Sequence, residues 1–232
     1  MKWIRYYRGK NIYYGIADLQ NQSVTEVNGN PFEDYEPKEV VSFADIKLLT
    51  PFEPKTFYAA GTNYEEHIRK VAELIGEQPN IPEKADIGYR ANNALIAHDE
   101  TIIIPKDATE KVQYEAELVV VIGKKAFQVK ESDALKYVFG YTIGNDVSER
   151  SWQKLDRTLW RAKNADTFKP MGPLIETQVN LDDMITSVHL NGEKTIEFKT
   201  NEMIFGVEKY IHEMKNTHIP HRNSTKYTST II

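Results

Sequence analysis

The chain has 232 residues, 41% of them apolar, with a formal net charge of −5 and no cysteine. That is enough apolar material for a sizeable core, and the mild, dispersed negative charge argues against a nucleic-acid groove. The absence of cysteine excludes disulfides and thiolate metal sites, and no run of 18 apolar residues marks a membrane span. The opening residues lack the apolar centre of a secretion signal, so a cytoplasmic protein is expected.

Residues 1 to about 50 read as short strands and turns. Lys2 to Tyr7 and Asn11 to Ile16 pair around Gly9-Lys10, Val24 to Val27 runs into the turn dipeptide Asn28-Gly29, and Pro31 to Pro37 is a loop. A strand is expected over Thr56 to Ala60. Thr62 or Asn63 then caps a helix that carries Ile68, Val71, Ala72, Leu74 and Ile75 and stops at Gly76. Residues 77–88 are a loop, followed by short strands at Ala94 to Ala97 and Thr101 to Ile104. Ser132 to Val138 is a short capped helix, and Phe139 to Asn145 is a strand that delivers Asp146. A loop or helical excursion covers Ser148 to Asp166, and Phe168 to Thr177 is an irregular strand. Val188 to Lys194 is a hairpin on Asn191-Gly192. Met203 to Met214 has helical spacing. No sustained period follows Lys215. Many short strands with few helices predict a mostly β, α+β fold. Three regions are expected: a small β domain over 1–50, a main β domain over 51–215, and an atypical, disordered tail over 216–232.

The stretch Val112 to Gly123, VQYEAELVVVIG, holds the strongest chemical signal. Its β-branched run ends at a glycine and reads as a buried strand. Side chains alternate along a strand, so Glu115, Glu117, Val119 and Val121 share one face. Ala116, Leu118, Val120 and Ile122 share the other, and both faces look interior. Two neighbouring buried carboxylates repel and are costly unless a cation lies between them. Asp146, at the end of a strand that can lie beside the first, offers a third oxygen. Three carboxylates without cysteine or paired histidines suit a hard ion, Mg²⁺ or Mn²⁺. The competing reading is a solvated Glu-x-Glu edge and an Asn-Asp turn. Arg150 and Gln153, just after Asp146, fall in the same loop region and suit a substrate's distal carboxylate. His67 on its own reads as structural, since it shares a helical face with Tyr64, Val71 and Leu74. His212, His218 and His221 fit no metal spacing.

Four ordered segments, GTNYEEHI, YEAELVVVIGKKA, VFGYTIGNDVSER and KNADTFKPMGP, resemble the fumarylacetoacetate hydrolase family. The resemblance covers about residues 46–214 and includes the entry strand LLTPFEPKTFYAAGTNY. It implies a β-sandwich roll, a homodimer, and chemistry on small 2-oxo or β-diketo acids: C–C hydrolysis, decarboxylation or keto–enol isomerisation. It also implies that Glu115, Glu117 and Asp146 hold the divalent metal. His67 matches the family's catalytic histidine and Lys163 its active-site lysine. Arg90 aligns with a basic residue of the substrate wall, with Asn93 in the same segment. The reactions implied are those of acylpyruvate hydrolases or 2-hydroxyhepta-2,4-diene-1,7-dioate isomerases. From charge and hydropathy, no nucleic-acid or membrane partner is expected.

The sequence departs from the family in two places. Many relatives carry a glutamate three residues after the histidine, where this chain has Lys70, which cannot accept a proton while charged. This tilts the expectation toward decarboxylation or isomerisation. Past Met214 the family's Gly-Asp turn and Gly-Thr segment are missing, so the C-terminal strands of the roll are expected to be absent. A truncated or frame-shifted coding sequence is the expected cause, and restoring a family-like end should raise Tm and activity. The alternative function is a catalytically silent relative that binds metal or a partner. Acylpyruvates, oxaloacetate and hydroxymuconate-type diacids, assayed with and without Mg²⁺, separate the two, and no metal-dependent turnover on any of them leaves the enzyme reading without support.

Overall fold

A computed structural model describes residues 1–216 and 229–231. The strands are β1 (Lys2–Arg8), β2 (Asn11–Asp18), β3 (Ser23–Gly29), β4 (Tyr35–Ser42), β5 (Lys47–Leu48), β6 (Thr56–Ala60), β7 (Ile87–Tyr89) and β8 (Leu95–Ile96). They continue as β9 (Val112–Gln113), β10 (Ala116–Ile122), β11 (Val138–Asn145), β12 (Ser148–Glu149), β13 (Lys169–Glu176), β14 (Ile185–Leu190), β15 (Glu193–Lys199) and β16 (Ser229–Ile231). The α-helices are α1 (Glu65–Ile75), α2 (Arg150–Gln153), α3 (Trp160–Asn164) and α4 (Val207–Asn216). The fold is mostly β with few helices, as the sequence predicts.

One continuous sheet organises the molecule, in the order β4-β3-β2-β1-β13-β11-β10-β16-β6-β7. The N-terminal meander joins the rest where β1 pairs antiparallel with β13, Trp3 facing Ile175. Trp3 and Val27 then pack in one cluster with Phe52, Phe57, Val119, Val121, Met171 and Ile175. The opposite face of β10 sends Val120 and Ile122 into a second cluster with Tyr58, Tyr210, Ile211 and Met214. Strand β10 is therefore interior on both sides, which explains why its sequence shows a continuous apolar run.

Glycine sets two boundaries. Helix α1 ends where Gly76 turns left-handed at φ 73°, its N–H donating to the Ala72 and Glu73 carbonyls. Gly140 lies in β11, where the pairing with β13 shifts register. A Cβ there would sit 2.6 Å from the Glu176 carbonyl oxygen, so only glycine lets the two backbones approach.

Several elements differ from expectation. Neither Thr62 nor Asn63 caps α1. The Asn63 amide instead exchanges two hydrogen bonds of 2.9 Å with the Phe205 backbone, and Tyr64 occupies the cap without a side-chain bond. The same tie delays the last helix. Met203 bridges to Tyr64 and the Ile204 N–H donates to the Asn63 carbonyl, so α4 starts at Val207. Thr101 to Ile104 forms no strand, and the Ile103 N–H donates to Thr167 Oγ1 at 2.8 Å. Ser132 to Val138 is a 3-10 turn over Glu131–Tyr137 without a side-chain cap. The Pro31–Pro37 segment is a loop only to Asp34, because Pro37 fits an edge strand, β4, beside a register shift in β3. By contrast, the hairpin on Asn191-Gly192 forms as expected, as β14–β15, both turn residues with positive φ. In the expected tail, Ser229–Ile231 forms a strand between β10 and β6, with Ile231 facing Val120. His218 and His221 lie outside the described residues.

Candidate metal centre

Pairing of β10 with β11 builds the site. In that antiparallel register Ala116 faces Asn145 and Glu117 faces Gly144. Two bonds extend the ladder one step further: the Asp146 N–H donates to the Glu115 carbonyl at 2.9 Å, and the Glu115 N–H to Asn145 Oδ1 at 3.0 Å. Cross-strand neighbours share a face, so Glu115 and Asp146 come together and Glu117 stands above glycine. One oxygen from each of Glu115, Glu117 and Asp146 lies within 4.8 Å of the others. That span is close to the distance of about 4.2 Å across a Mg²⁺–oxygen shell. Three hard carboxylate donors without sulfur fit a hard divalent ion.

Four cations surround these acids. Arg90, in the segment after β7, grips Asp146 with both Nε (2.9 Å to Oδ1) and Nη2 (2.7 Å to Oδ2). Lys163, on α3, donates to Asp146 Oδ2 at 2.7 Å and also to Glu115 Oε2. Lys169, at the start of β13, reaches Asp146 Oδ1 at 2.9 Å and the Val147 and Phe168 carbonyls at 3.1 and 2.9 Å. Arg150, at the start of α2, pairs with Glu115 Oε1 at 2.6 Å. Its Nε also donates to Gln113 Oε1 at 2.8 Å and its Nη1 to Gln153 Oε1 at 2.9 Å. Ser148 Oγ adds a 3.2 Å bond to Glu115 Oε1.

The helical excursion is shaped by buried polar contacts. Glu149, fully buried, accepts from Thr109 Oγ1 and from the Trp152 N–H at 2.5 Å, starting α2. The Arg161 guanidinium stacks 4.1 Å from the Trp152 ring and joins α3 to α2. Asn164 Oδ1 accepts the Ala91 N–H at 2.7 Å, so the segment bearing Arg90 is tied to the helix bearing Lys163.

The electrostatics divide the acids. Burial alone would raise the Asp146 carboxyl, but the bonds from Arg90 and the charges of Lys169, Arg90 and Lys163 hold it well below the usual carboxylate range. Glu117 has no hydrogen bond or ion pair to its carboxylate among the described residues. Burial, then the charges of Asp146 and Glu115, push it up to about 8. A cation shared by the three acids acts in the opposite sense. Burial lowers the Lys169 ammonium to about 8 against the opposing pull of Asp146.

The structure thus gathers Glu115, Glu117, Asp146, Arg90, Lys163 and Arg150 in one place. Gln153 sits one step out, as a partner of Arg150. Asn93 donates to Asp166 Oδ1 at 2.6 Å. His67 is exposed on the first turn of α1, with no hydrogen bond or ion pair among the described residues. Lys70 pairs along the helix with Glu66 at 2.6 Å. Sequence reading missed Lys169 and Ser148. It also missed Tyr64 and Tyr210, whose hydroxyls are pushed up by burial and lie within electrostatic reach of Glu117. The signal for Lys169 was available: in Phe168-Lys169-Pro170-Met171 it alternates with Met171 toward the core.

Comparison with known proteins gives a consistent result. The family described as "Fumarylacetoacetate (FAA) hydrolase C-terminal" matches residues 56–219, and "Rv2993c-like, N-terminal" matches residues 1–51. A fumarylacetoacetate hydrolase domain-containing protein 2 homolog of Dictyostelium discoideum is 36% identical over 184 residues, which is 74% of this chain and 58% of that protein. The mitochondrial oxaloacetate tautomerase fahd2 of Xenopus laevis is 33% identical over 75% of this chain and 54% of its own length. The chain thus spans little more than half of each of these two relatives. A 5-carboxymethyl-2-hydroxymuconate delta-isomerase structure from Mycobacterium smegmatis superposes with TM-score 0.84 at 27% identity, covering 100% of this chain and 86% of that one.

Proposed function

The chain belongs to the fumarylacetoacetate hydrolase family, and on that premise we propose that it is a divalent-metal-dependent enzyme acting on a small 2-oxo acid through its enolate. The observation that carries this reading is the convergence of Glu115, Glu117 and Asp146 from two paired strands, ringed by cationic donors. Bound Mg²⁺ or Mn²⁺ would supply Lewis-acid polarisation of the 2-oxo group and charge to offset the enolate. The three carboxylates would hold the ion. Lys163 and Arg90 supply N–H donors for the substrate carboxylate, and Lys169 fixes Asp146 from the buried side. Arg150 keeps Glu115 in place.

Among the possible outcomes, keto–enol isomerisation fits best. Hydrolysis needs an oriented base to activate water, and His67 has no orienting partner among the described residues, while Lys70 is engaged with Glu66. Isomerisation needs no activated water, only a group that passes a proton between carbon and oxygen. Relatives named oxaloacetate tautomerase support the same outcome, as does the structural neighbour named an isomerase.

Oxaloacetate, acylpyruvates and hydroxymuconate-type diacids should be assayed with and without Mg²⁺. We expect metal-dependent keto–enol interconversion of at least one. No metal-dependent turnover on the whole panel would remove the reading. A homodimer in the cytoplasm is the proposed setting. It draws support from Ile143, 61% exposed on a central strand, and from the lack of any described helix long and apolar enough to cross a membrane. Light scattering at micromolar concentration tests the assembly, and a monomer there would refute it. Cell fractionation tests the compartment, and a membrane-bound pool would refute that.

A further inference from the structure

Asp146 presents a conflict that the site must resolve. A carboxylate offers about four lone-pair positions. Here Oδ1 accepts from Arg90 Nε and Lys169 Nζ, and Oδ2 from Arg90 Nη2 and Lys163 Nζ. All four positions are taken by protein donors. For Asp146 to ligate a metal, one donor has to leave.

The three candidates are not equivalent. Lys169 is 1% exposed, and its three N–H groups are all spent, on Asp146 and on the Val147 and Phe168 carbonyls. Its departure would strand a buried ammonium. Arg90 would forfeit a bidentate grip, and its third bond, Nη1 to the Tyr89 carbonyl at 2.9 Å, holds it near. Releasing either opens positions on Asp146 alone. Lys163 makes two bonds, one to Asp146 Oδ2 and one to Glu115 Oε2, and no third among the described residues. Its release opens one position on each carboxylate in a single move. It also has the flexible stem that such a move needs.

We propose that Lys163 is an exchangeable counter-ion: its ammonium bridges Glu115 and Asp146 where a shared dication would bind, yields that place to the metal, and is thereby delivered to the carboxylate of the 2-oxo acid. This rests on the metal-centre reading above. Metal binding and the readiness of the anion site then become one event. Lys169, by contrast, is a positioning residue that stays on Asp146 throughout.

The test is calorimetric titration of Mn²⁺ into the full chain, followed by oxalate, a dianionic probe, into the Mn²⁺-loaded protein. Lys163→Met should bind Mn²⁺ about tenfold tighter than wild type and then bind oxalate about tenfold weaker. Lys169→Met should bind Mn²⁺ about tenfold weaker, as expected when a ligand loses its orienting partner. Equal or weaker Mn²⁺ binding by Lys163→Met overturns the exchange, and tighter binding by Lys169→Met overturns the assignment to Lys163. A second measurement needs no variant. Reductive methylation followed by mass spectrometry should label Lys163 faster once Mn²⁺ is bound, with Lys169 protected throughout; unchanged Lys163 labelling under saturating Mn²⁺ overturns the proposal. The two readings fail differently. If wild type takes up no Mn²⁺, the metal centre itself is lost; if it does and Lys163 behaves as in neither forecast, only the exchange is lost.

Discussion

Two clusters of buried charge can be set side by side. In the N-terminal meander, Glu26 is 1% exposed and accepts from Tyr6 Oη at 3.3 Å, with Arg8 at 3.0 Å and Lys38 at 3.7 Å. One acid is compensated by cations at its rim, and Arg8 continues outward to Glu39. Around Asp146 the arrangement is reversed: three acids converge and four cations enclose them. Both clusters are buried and well paired, so burial and pairing do not mark a functional site. Convergence of like charge sets the Asp146 cluster apart, because it adds a repulsion that the proposed shared ion would relieve.

Breaking each cluster should sharpen the contrast. The largest effect is expected at Asp146. Asp146→Ala strands Arg90, Lys163 and Lys169 without their shared anion, and we expect a loss of about 3–5 kcal/mol in denaturant unfolding, together with loss of metal binding. A fully stable variant would show that the cations do not depend on Asp146. Glu26→Gln should cost less, about 1–3 kcal/mol, since hydrogen bonding from Tyr6 survives the loss of charge. It should leave metal affinity untouched in calorimetry, and a change there would erase the distinction between the clusters. Gly140→Ala tests the backbone that joins the two regions. Its Cβ has no room beside the Glu176 carbonyl, and a drop of about 1–3 kcal/mol is expected by thermal unfolding.

The smallest effect concerns Glu176, at the β1–β13 junction. Burial alone would raise its carboxyl. Hydrogen bonding from Lys2, the Gln178 N–H and the N-terminal ammonium lowers it instead, to about 2. A depressed folded-state pKa contributes stability that is fully present above the ordinary carboxylate value of 4.5 and is lost as pH falls toward 2. Glu176→Gln should therefore be less stable than wild type at neutral pH, and the gap should close across that acid window. A gap that persists at pH 2 would mean the contact does not act through charge.

Much of the site was legible because it lies in local patterns. The alternation through Glu115, Glu117, Val119 and Val121 located the acids on one face, and the β-branched run ending at Gly123 located the strand. What escaped depends on distant contacts. Asn63 looked like a helix cap because capping is local, but Phe205, 142 residues away, takes its amide. Lys169 alternates with Met171 toward the core, but its partner Asp146 is fixed only once β13 is placed. The pairing of Arg150 with Glu115 and Gln113 likewise shows only once α2 is placed beside β9 and β10. The strand Ser229–Ile231 is too short for a period to show, and its place is set by β10 and β6 on either side.

The most direct test of the account is a Mg²⁺ titration of wild type against Glu117→Gln, followed by calorimetry. Among the described residues Glu117 is the acid of the three with no protein counter-charge in contact, so it should gain most from a shared ion. The account predicts one divalent site in wild type and its loss in the variant, with both proteins equally folded. Equal binding by the two, or no binding by wild type, would contradict it.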